Sequence, residues 1–521
     1  MSSRRLPHII ATCIILLLLS QVAWGQTDAP SPAAETAAAD SVPEFRILEL
    51  LVTGNTAIDS TVLRDEMDSA PGQPFSEARL RSDIARLLAL YDRSGYPFAA
   101  VRITRLQTLA SGNVAGVRLE LTIDEGELLR IHEITVEGNT LTDADVIMRE
   151  TRIVEGEIYD AEKIGDIRRR LERLQYFSTV REPEMYLRDD SIGGVLLGVV
   201  EGNTNRFDGV VGYQPAQGSE ENGYFTGLVD VRFGNLFGTG RQLDARWERS
   251  TQEVSELALH YLEPWLFSLP LNVAAGFFQR QQDSAYVRRS VDGEISLLVS
   301  TDVTVAATVE ASEVIPSAER ALPGLYRGST LSAGLQLRID TRDDVYNPRS
   351  GIYLRNAYSG GDKRFTPTQG GEVRDFLQRI EVDAEYVQEL VSRSVLSLSL
   401  HGRELKGDQL DQSDLYRVGG ANTLRGYREE QFSATRAGWI NSELRYSLGR
   451  RTFAFVFFDF GYIYQSPDID RRREEVTAFR NGYGLGARIE TALGIMGVSY
   501  ALGKGDGLSQ GKIHFGLINA F

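Results

Sequence analysis

Three stretches of this chain hold residues whose types and spacing could do chemistry. Gly507-Leu508-Ser509-Gln510-Gly511 has the G-x-S-x-G spacing of a nucleophile elbow. That device needs a sharp strand-to-helix turn under the serine, and histidine and carboxylate partners. Here the stretch lies between two segments of alternating apolar and polar residues, Ile495–Leu502 and Lys512–Phe521, and is expected to be a hairpin loop. Gly482, Gly484 and Gly486 recur at every second residue, which puts them on one strand face as small inward residues rather than in a phosphate loop. The histidines after residue 25 (His132, His260, His401 and His514) are scattered without metal-ligand spacing. No catalytic set, metal site or cofactor emerges, and the chain is not expected to be an enzyme.

Arg425 is the third case. It sits in the connection Lys406 to Gly438, whose centre runs Leu415, Tyr416, Val418, Gly419, Gly420, Asn422, Leu424, Arg425, Gly426, Tyr427. A loop of about 30 residues is usually functional or disordered. Glycines on both sides of an arginine set among apolar residues suit a segment folded back into the protein. A buried guanidinium then needs a carboxylate, and its planar fork suits a bidentate one. Asp459, in Phe457-Phe458-Asp459-Phe460-Gly461, and Glu443 are the candidates. On spacing alone, a solvated arginine on a surface loop is the commoner outcome.

The elements that would position these residues are short strands. Residues 205–521 break into about sixteen alternating segments, the last ending on Phe521. No stretch after residue 25 approaches the roughly 18 apolar residues of a spanning helix. Only helices and closed barrels satisfy every backbone group in lipid, so a membrane location implies a β-barrel. An even strand number returns both ends to one side. Asn441, Glu443 and Arg445 share one face of the twelfth segment, and Ile440, Leu444, Tyr446 and Leu448 the other. A charge facing lipid near mid-membrane costs about 2–4 kcal/mol, so the charged row is expected in the lumen. Arg488 and Glu490 repeat this on the fourteenth segment. On the sixteenth, Ile513, Phe515, Leu517 and Phe521 are expected outward, and His514 and Gly516 inward.

The start of the chain suggests an envelope protein. Arg4 and Arg5, the apolar core Ile9 to Leu19 and the small-x-small site Ala23-Trp24-Gly25 read as a signal peptide over 1–25. Its removal takes both arginines with it, moves the net charge from -16 to -18 and removes Cys13, the one cysteine. An acidic chain argues against nucleic acid as a partner, and no disulfide or thiol site remains. Residues 26–43, rich in Ala, Pro and Thr, read as a disordered linker.

An internal repeat follows. Gly54-Asn55-Thr56 recurs as Gly138-Asn139-Thr140, Gly72 as Gly156, and Phe75 is answered by Tyr159. Each copy opens with a strand (Glu44–Val52, Ile131–Val136), then a short helix and a longer one with an N-cap candidate, Ser76 or Asp160. Leu80, Ile84, Leu87, Leu88 and Tyr91 share one helical face, as do Ile164, Ile167, Leu171 and Leu174. Two strands close each copy, with Val117, Leu119, Leu121 and Ile123 as the clearest inward row. A β-α-α-β-β unit of this size, duplicated ahead of a barrel, resembles the POTRA domain; a pair of unrelated small α+β domains is the plainer alternative. An open sheet edge in such a unit offers a route for an extended client to add a strand.

Further motifs extend the resemblance over essentially the whole chain after residue 25. Gly419-Gly420-Ala421-Asn422-Thr423-Leu424-Arg425-Gly426-Tyr427 resembles the sixth-loop motif of the POTRA–barrel superfamily that includes BamA, TamA and the two-partner-secretion transporters. Asn235 to Arg241 resembles its early turn, Asp340-Thr341-Arg342-Asp343 with Pro348 and Gly351 its middle turn, and Phe458-Asp459-Phe460-Gly461 its thirteenth-strand motif. The run from His514 through Gly516 to Phe521 resembles the C-terminal insertion signal, with Asn519 where that signal has an apolar residue. The resemblance implies POTRA domains at 44–125 and 126–203 and a sixteen-stranded outer-membrane barrel at 204–521, with Arg425 contacting Asp459 in the lumen. It also implies an insertase or translocase for unfolded outer-membrane or secreted polypeptides, its POTRA domains in the periplasm, working along a seam between the first and last strands. Periplasmic lipoprotein or inner-membrane partners are compatible with it. Two alternatives stay open: a two-partner-secretion transporter for one dedicated protein, for which residues 26–43 leave little room for the usual plug helix, and a passive outer-membrane channel.

Overall fold

The computed structural model describes residues 45–521 except 112–113, 189–191, 215–223, 250–253, 283–284, 318–323, 346, 368–369, 450, 468–473, 492–493 and 519–521. The expected signal peptide, the linker over 26–43 and Phe521 lie outside the described residues.

Most of the first repeat forms one compact unit, and the second repeat forms another with all that follows it. The first repeat runs β1 (Arg46–Thr53), α1 (Ser60–Asp65), α2 (Glu77–Arg93), β2 (Ala100–Ser111), β3 (Val114–Asp124). Its sheet order is β1-β3-β2, with β1 parallel to β3. Asp59 caps α1 by accepting from the Thr61 N–H at 2.8 Å, and the Ser76 hydroxyl accepts from the Arg79 N–H at the start of α2. Leu80, Leu87 and Tyr91 are buried along α2, as are Val117, Leu119, Leu121 and Ile123 on β3.

The second repeat runs β4 (Arg130–Glu137), α3 (Ala144–Thr151), β5 (Glu157–Ile158), α4 (Ala161–Leu174), β6 (Phe177–Val180), β7 (Glu184–Arg188), β8 (Ile192–Glu201). The strand expected before the last is broken into β6 and β7 around Pro183, which has no N–H to give a ladder. Asp160 caps α4, accepting from the Glu162 and Lys163 N–H groups at 2.9 and 3.2 Å. Ile164, Ile167 and Leu171 are buried in one cluster with Val195, Leu197 and Val199 of β8.

The wall of the barrel begins with β9 (Asn205–Gln214), β10 (Tyr224–Leu236), β11 (Arg241–Arg249), β12 (Ser255–Glu263) and β13 (Leu271–Gln282). It continues through β14 (Tyr286–Leu298), β15 (Val303–Pro316), β16 (Gly328–Asp340), β17 (Ser350–Phe365), β18 (Val373–Val391) and β19 (Ser394–Lys406). The long loop follows, carrying a small hairpin, β20 (Tyr416–Val418) and β21 (Phe432–Ala434). β22 (Arg436–Ser447), β23 (Phe453–Gln465), β24 (Val476–Thr491), β25 (Gly494–Gly503) and β26 (Lys512–Ile518) complete a sheet of sixteen strands paired antiparallel in chain order. β24 starts at Val476, ahead of the alternating glycines from Gly482, because its ladder with β23 continues to Val476 opposite Gln465.

The two faces separate as the alternation requires. Ile440, Leu444, Tyr446 and Leu448 are exposed outward while Glu443 and Arg445 are buried. On β23, Asp459 is 0% exposed between Phe458 and Phe460, which are 50% and 43% exposed. Among the described residues no ladder joins β9 to β26, so the sheet has two free end strands.

Candidate functional site

The loop between β19 and β22 turns back into the lumen, and Arg425 is its point of attachment. Arg425 donates from its backbone N–H and from Nε to Asp459 Oδ2 at 3.0 and 2.9 Å, and from Nη2 to Oδ1 at 2.7 Å. Nη1 donates to Glu443 Oε1 at 2.6 Å. Both candidate carboxylates therefore hold the same guanidinium, one on β23 and one on β22. The Phe457 ring lies under it, 3.7 Å from guanidinium carbon to ring centre. Arg445, two residues further along β22, donates from Nε to the other oxygen of Glu443 at 2.8 Å, while its own Nη1 is buried without a hydrogen-bond partner.

The glycines explain how a loop fits there. Gly426 has φ +90°, a left-handed conformation that side chains resist, and a Cβ on it would lie 2.6 Å from Gly503 N. A Cβ at Gly482 would overlap the Arg425 carbonyl. Gly482 of β24 is thus the floor on which the loop rests, while Gly484 and Gly486 leave room for the Phe457 and Phe455 rings. Leu424 is fully buried, in a cluster with Val418, Tyr427 and Trp439. The Tyr427 hydroxyl donates to Asn481 O at 3.0 Å. Gly419 and Gly420 both have positive φ; the Gly420 N–H donates to Leu424 O, and Gly419 N–H to the Thr423 hydroxyl. The Gly426 N–H donates to Nε2 of His514 on β26 at 3.1 Å. Gly516 is on the same strand.

Several anchors were not foreseen from the sequence. Glu430, with φ +54°, receives the Arg280 guanidinium of β13. Buried Lys363 of β17 donates to Asp411 Oδ2 at 2.6 Å and also to Asp414. In the repeats, Glu125 accepts from the Thr56 and Ala57 N–H groups at 2.9 and 3.0 Å and from the Tyr91 hydroxyl at 2.8 Å. Glu201 does the same for the Thr140, Leu141 and Thr142 N–H groups at 3.0, 3.0 and 2.7 Å. Burial opposes the charge on Glu201, yet those hydrogen bonds outweigh it and pull the carboxyl down to about 2. Glu125 is lowered in the same sense against the same burial. Matching the ends of the two copies, and not only their Gly-Asn-Thr starts, would have exposed this pair.

The second repeat is seated on the short turns of the barrel. Trp265 Nε1 donates to Glu150 Oε1 of α3 at 2.6 Å. Tyr176 donates to Gly240 O at 2.9 Å, and Asn235 Nδ2 to the Thr142 hydroxyl at 2.8 Å. Arg173 of α4 reaches Asp302 Oδ1 at 2.9 Å and Asp340 O at 2.6 Å. A cavity of about 690 Å³ runs from Arg173 on α4 to Arg425 in the loop, walled by β10, β16, β18, β22 and β24. Residues 507–511 form a loop with a single 3-10 turn, Leu508–Gln510, between β25 and β26. Ser509 there has no strand-to-helix turn beneath it.

The Omp85 superfamily domain model matches residues 235–521, more than half of the chain. The chain belongs to the Omp85 superfamily. The repeat model described as "Surface antigen variable number repeat", the POTRA family, matches residues 45–126 and 129–202. This membership gives the barrel an outer-membrane location with the POTRA repeats on the periplasmic side. Among relatives of this Omp85 chain, the outer membrane protein assembly factor BamA of Neorickettsia risticii is 23% identical over 507 residues, covering 90% of this chain and 65% of its own length. The BamA of Nitratidesulfovibrio vulgaris is 24% identical, with 76% and 49% covered. The chain thus spans about half to two thirds of these relatives' lengths. In fold it is similar to CdiB from Escherichia coli (TM-score 0.55, 17% identity, 93% of this chain and 92% of that one). It is also similar to BamA from Haemophilus ducreyi lacking POTRA domains 1-3 (TM-score 0.53, 15% identity, 90% and 98%).

Proposed function

We propose that the protein is an outer-membrane insertase or translocase, which receives unfolded polypeptide at its POTRA repeats and inserts or exports it through the barrel. The observation that carries this reading is the pair of end strands, β9 and β26, without a ladder between them among the described residues. Unpaired strand edges are costly in lipid, and an incoming strand satisfies them by hydrogen bonding. The loop motif, gripped by Asp459 and Glu443, acts as a brace that keeps β22 to β26 in register beside that edge. The seat of the second repeat on the barrel turns delivers the client to the lumenal mouth. No catalytic step is required; the client's own strand pairing supplies the driving force. The two-repeat organisation favours one second reading, export of a single dedicated protein.

Quantitative proteomics of outer membranes after depletion tests this. Loss of many unrelated barrel proteins is the expected result for a general insertase. Loss of one secreted or surface protein, with other barrels intact, supports the dedicated transporter. Unchanged outer membranes, together with a large stable conductance that survives deletion of residues 44–201, would sink both and leave a passive channel.

A further inference from the structure

β26 is paired on one side only among the described residues, so its place depends on β25 and on what its inward side chains touch. His514 faces inward opposite Ser499 of β25 and is buried. Its Nε2 is the acceptor for the Gly426 N–H. A ring nitrogen that accepts carries no proton, so this bond requires the neutral imidazole with its hydrogen on Nδ1. Adding a proton to Nε2 sets one N–H against another and turns attraction into repulsion.

The loop cannot give way easily. Gly426 is confined by its φ of +90° and by the β25 backbone. On one side Arg425 is held by two carboxylates. On the other, Tyr427 is fixed by Asn481 and by the Lys504 N–H, which donates to its hydroxyl at 3.1 Å. β26 is the less constrained partner. The charged groups facing the ring are Arg425 and Glu429 of the loop, Asp459 of β23, and Lys512 of β26 itself. Arg425 is paired with Asp459 and Glu443, and Lys512 with Asp506. Glu429 Oε1 lies 3.8 Å from Nδ1, so a protonated ring keeps a carboxylate on that side while losing Gly426 on the other.

We infer that His514 is a positioning residue for the seam strand, tied to the loop motif when neutral and released when protonated. Acidification far enough to protonate the ring therefore loosens β26 relative to β9. The inference rests on reading the β9/β26 edge as the working part of the barrel, but its test follows strand position alone. It can fail while the proteomic test succeeds, and the reverse.

The experiment uses the full chain in liposomes, with nitroxide labels on F207C and I513C, two outward positions that are 68% and 74% exposed. Electron–electron double resonance gives the distribution of label separations at pH 7.5 and pH 4.5. The expected result is a distribution whose width at least doubles at pH 4.5. H514Q, which keeps an acceptor and does not titrate, stays narrow at both pH values, and H514L, which has no acceptor, is broad at both. A distribution in the otherwise unaltered protein that ignores pH, or an H514Q protein that responds as that protein does, overturns the inference. Nitrogen NMR of histidine-labelled protein is a second readout that needs no substitution. A bare Nε2 on His514 at pH 7.5 is expected, and a protonated Nε2 there overturns it.

Discussion

Arg425 holds Asp459 by three hydrogen bonds, two from its guanidinium and one from its own backbone N–H. The backbone bond is the more telling one, because it survives any change of side chain and marks Asp459 as the receptor for the loop, not merely a counter-ion. Arg425 and Asp459 are 6% and 0% exposed, so neither charge can turn to water without moving the loop.

Removing one partner from such a pair leaves the other buried and uncompensated, at a cost of about 3–5 kcal/mol. Arg425→Ala is expected to lower the temperature at which the barrel unfolds in detergent. Arg425→Lys is expected to fall between, since an ammonium lacks the bidentate fork. Band-shift on heating in SDS gels reads both; an unfolding temperature equal to wild type in Arg425→Ala would remove the brace from the mechanism.

Gly482→Ala should mimic that loss without touching a charge, because its Cβ would take the space of the Arg425 carbonyl. Gly371→Ala is the matched control, with open space around the added carbon. Protease cleavage within residues 407–435 is expected to rise in the first and stay at the wild-type level in the second. Equal cleavage in both would mean that the glycine floor does not support the loop.

The Glu201 carboxyl is depressed to about 2, so its sign is that of a group favouring the folded state when ionised. Its contribution is fully present above the ordinary glutamate range near 4.3 and fades as pH falls toward about 2. Hydrogen exchange at Thr140, Leu141 and Thr142 in the full chain should therefore be slow at neutral pH, after correction for intrinsic rates, and should lose protection over that window. Glu201→Ala should lose it at every pH. Protection that is flat across the window would contradict the assigned hydrogen bonds.

Trp265→Phe removes the donor to Glu150 while keeping a large ring at the turn. Burial pushes the Glu150 carboxyl upward, against the pull of that hydrogen bond and of Arg149, Arg152 and Arg170. An acid raised in the folded state favours folding when protonated, so the seat of the second repeat weakens as pH rises through its titration. Label-to-label distances between α3 and the barrel are expected to broaden in Trp265→Phe, and Glu150→Gln is expected to keep wild-type widths with less pH response. A Trp265→Phe variant as narrow as wild type would show that Tyr176, Asn235 and Arg173 carry the seat alone.

The barrel was legible in the sequence because its rule is local. A strand exposes alternate residues to lipid and lumen, and the cost of charge in lipid forces the period into the composition itself, as Ile440 to Leu448 shows. The duplicated Gly-Asn-Thr turns were legible for a similar reason, since a positive-φ glycine at the end of a strand admits few substitutes. Arg425 stood out because its glycine-rich apolar setting suited a buried charge, and the family resemblance pointed to Asp459.

The grip of Glu430 on Arg280, of Lys363 on Asp411 and Asp414, and of His514 on Gly426 left no such trace. Each joins residues far apart in the chain, across a lumen whose curvature and stagger no short window of sequence contains. A glutamate at the end of a strand, such as Glu201, looks like any solvated charge until the turn it caps is folded beside it. Alternation and glycine placement settle which side of the wall a residue faces. Which residues then meet inside it depends on how the strands register and where the loop re-enters, and that belongs to the tertiary structure.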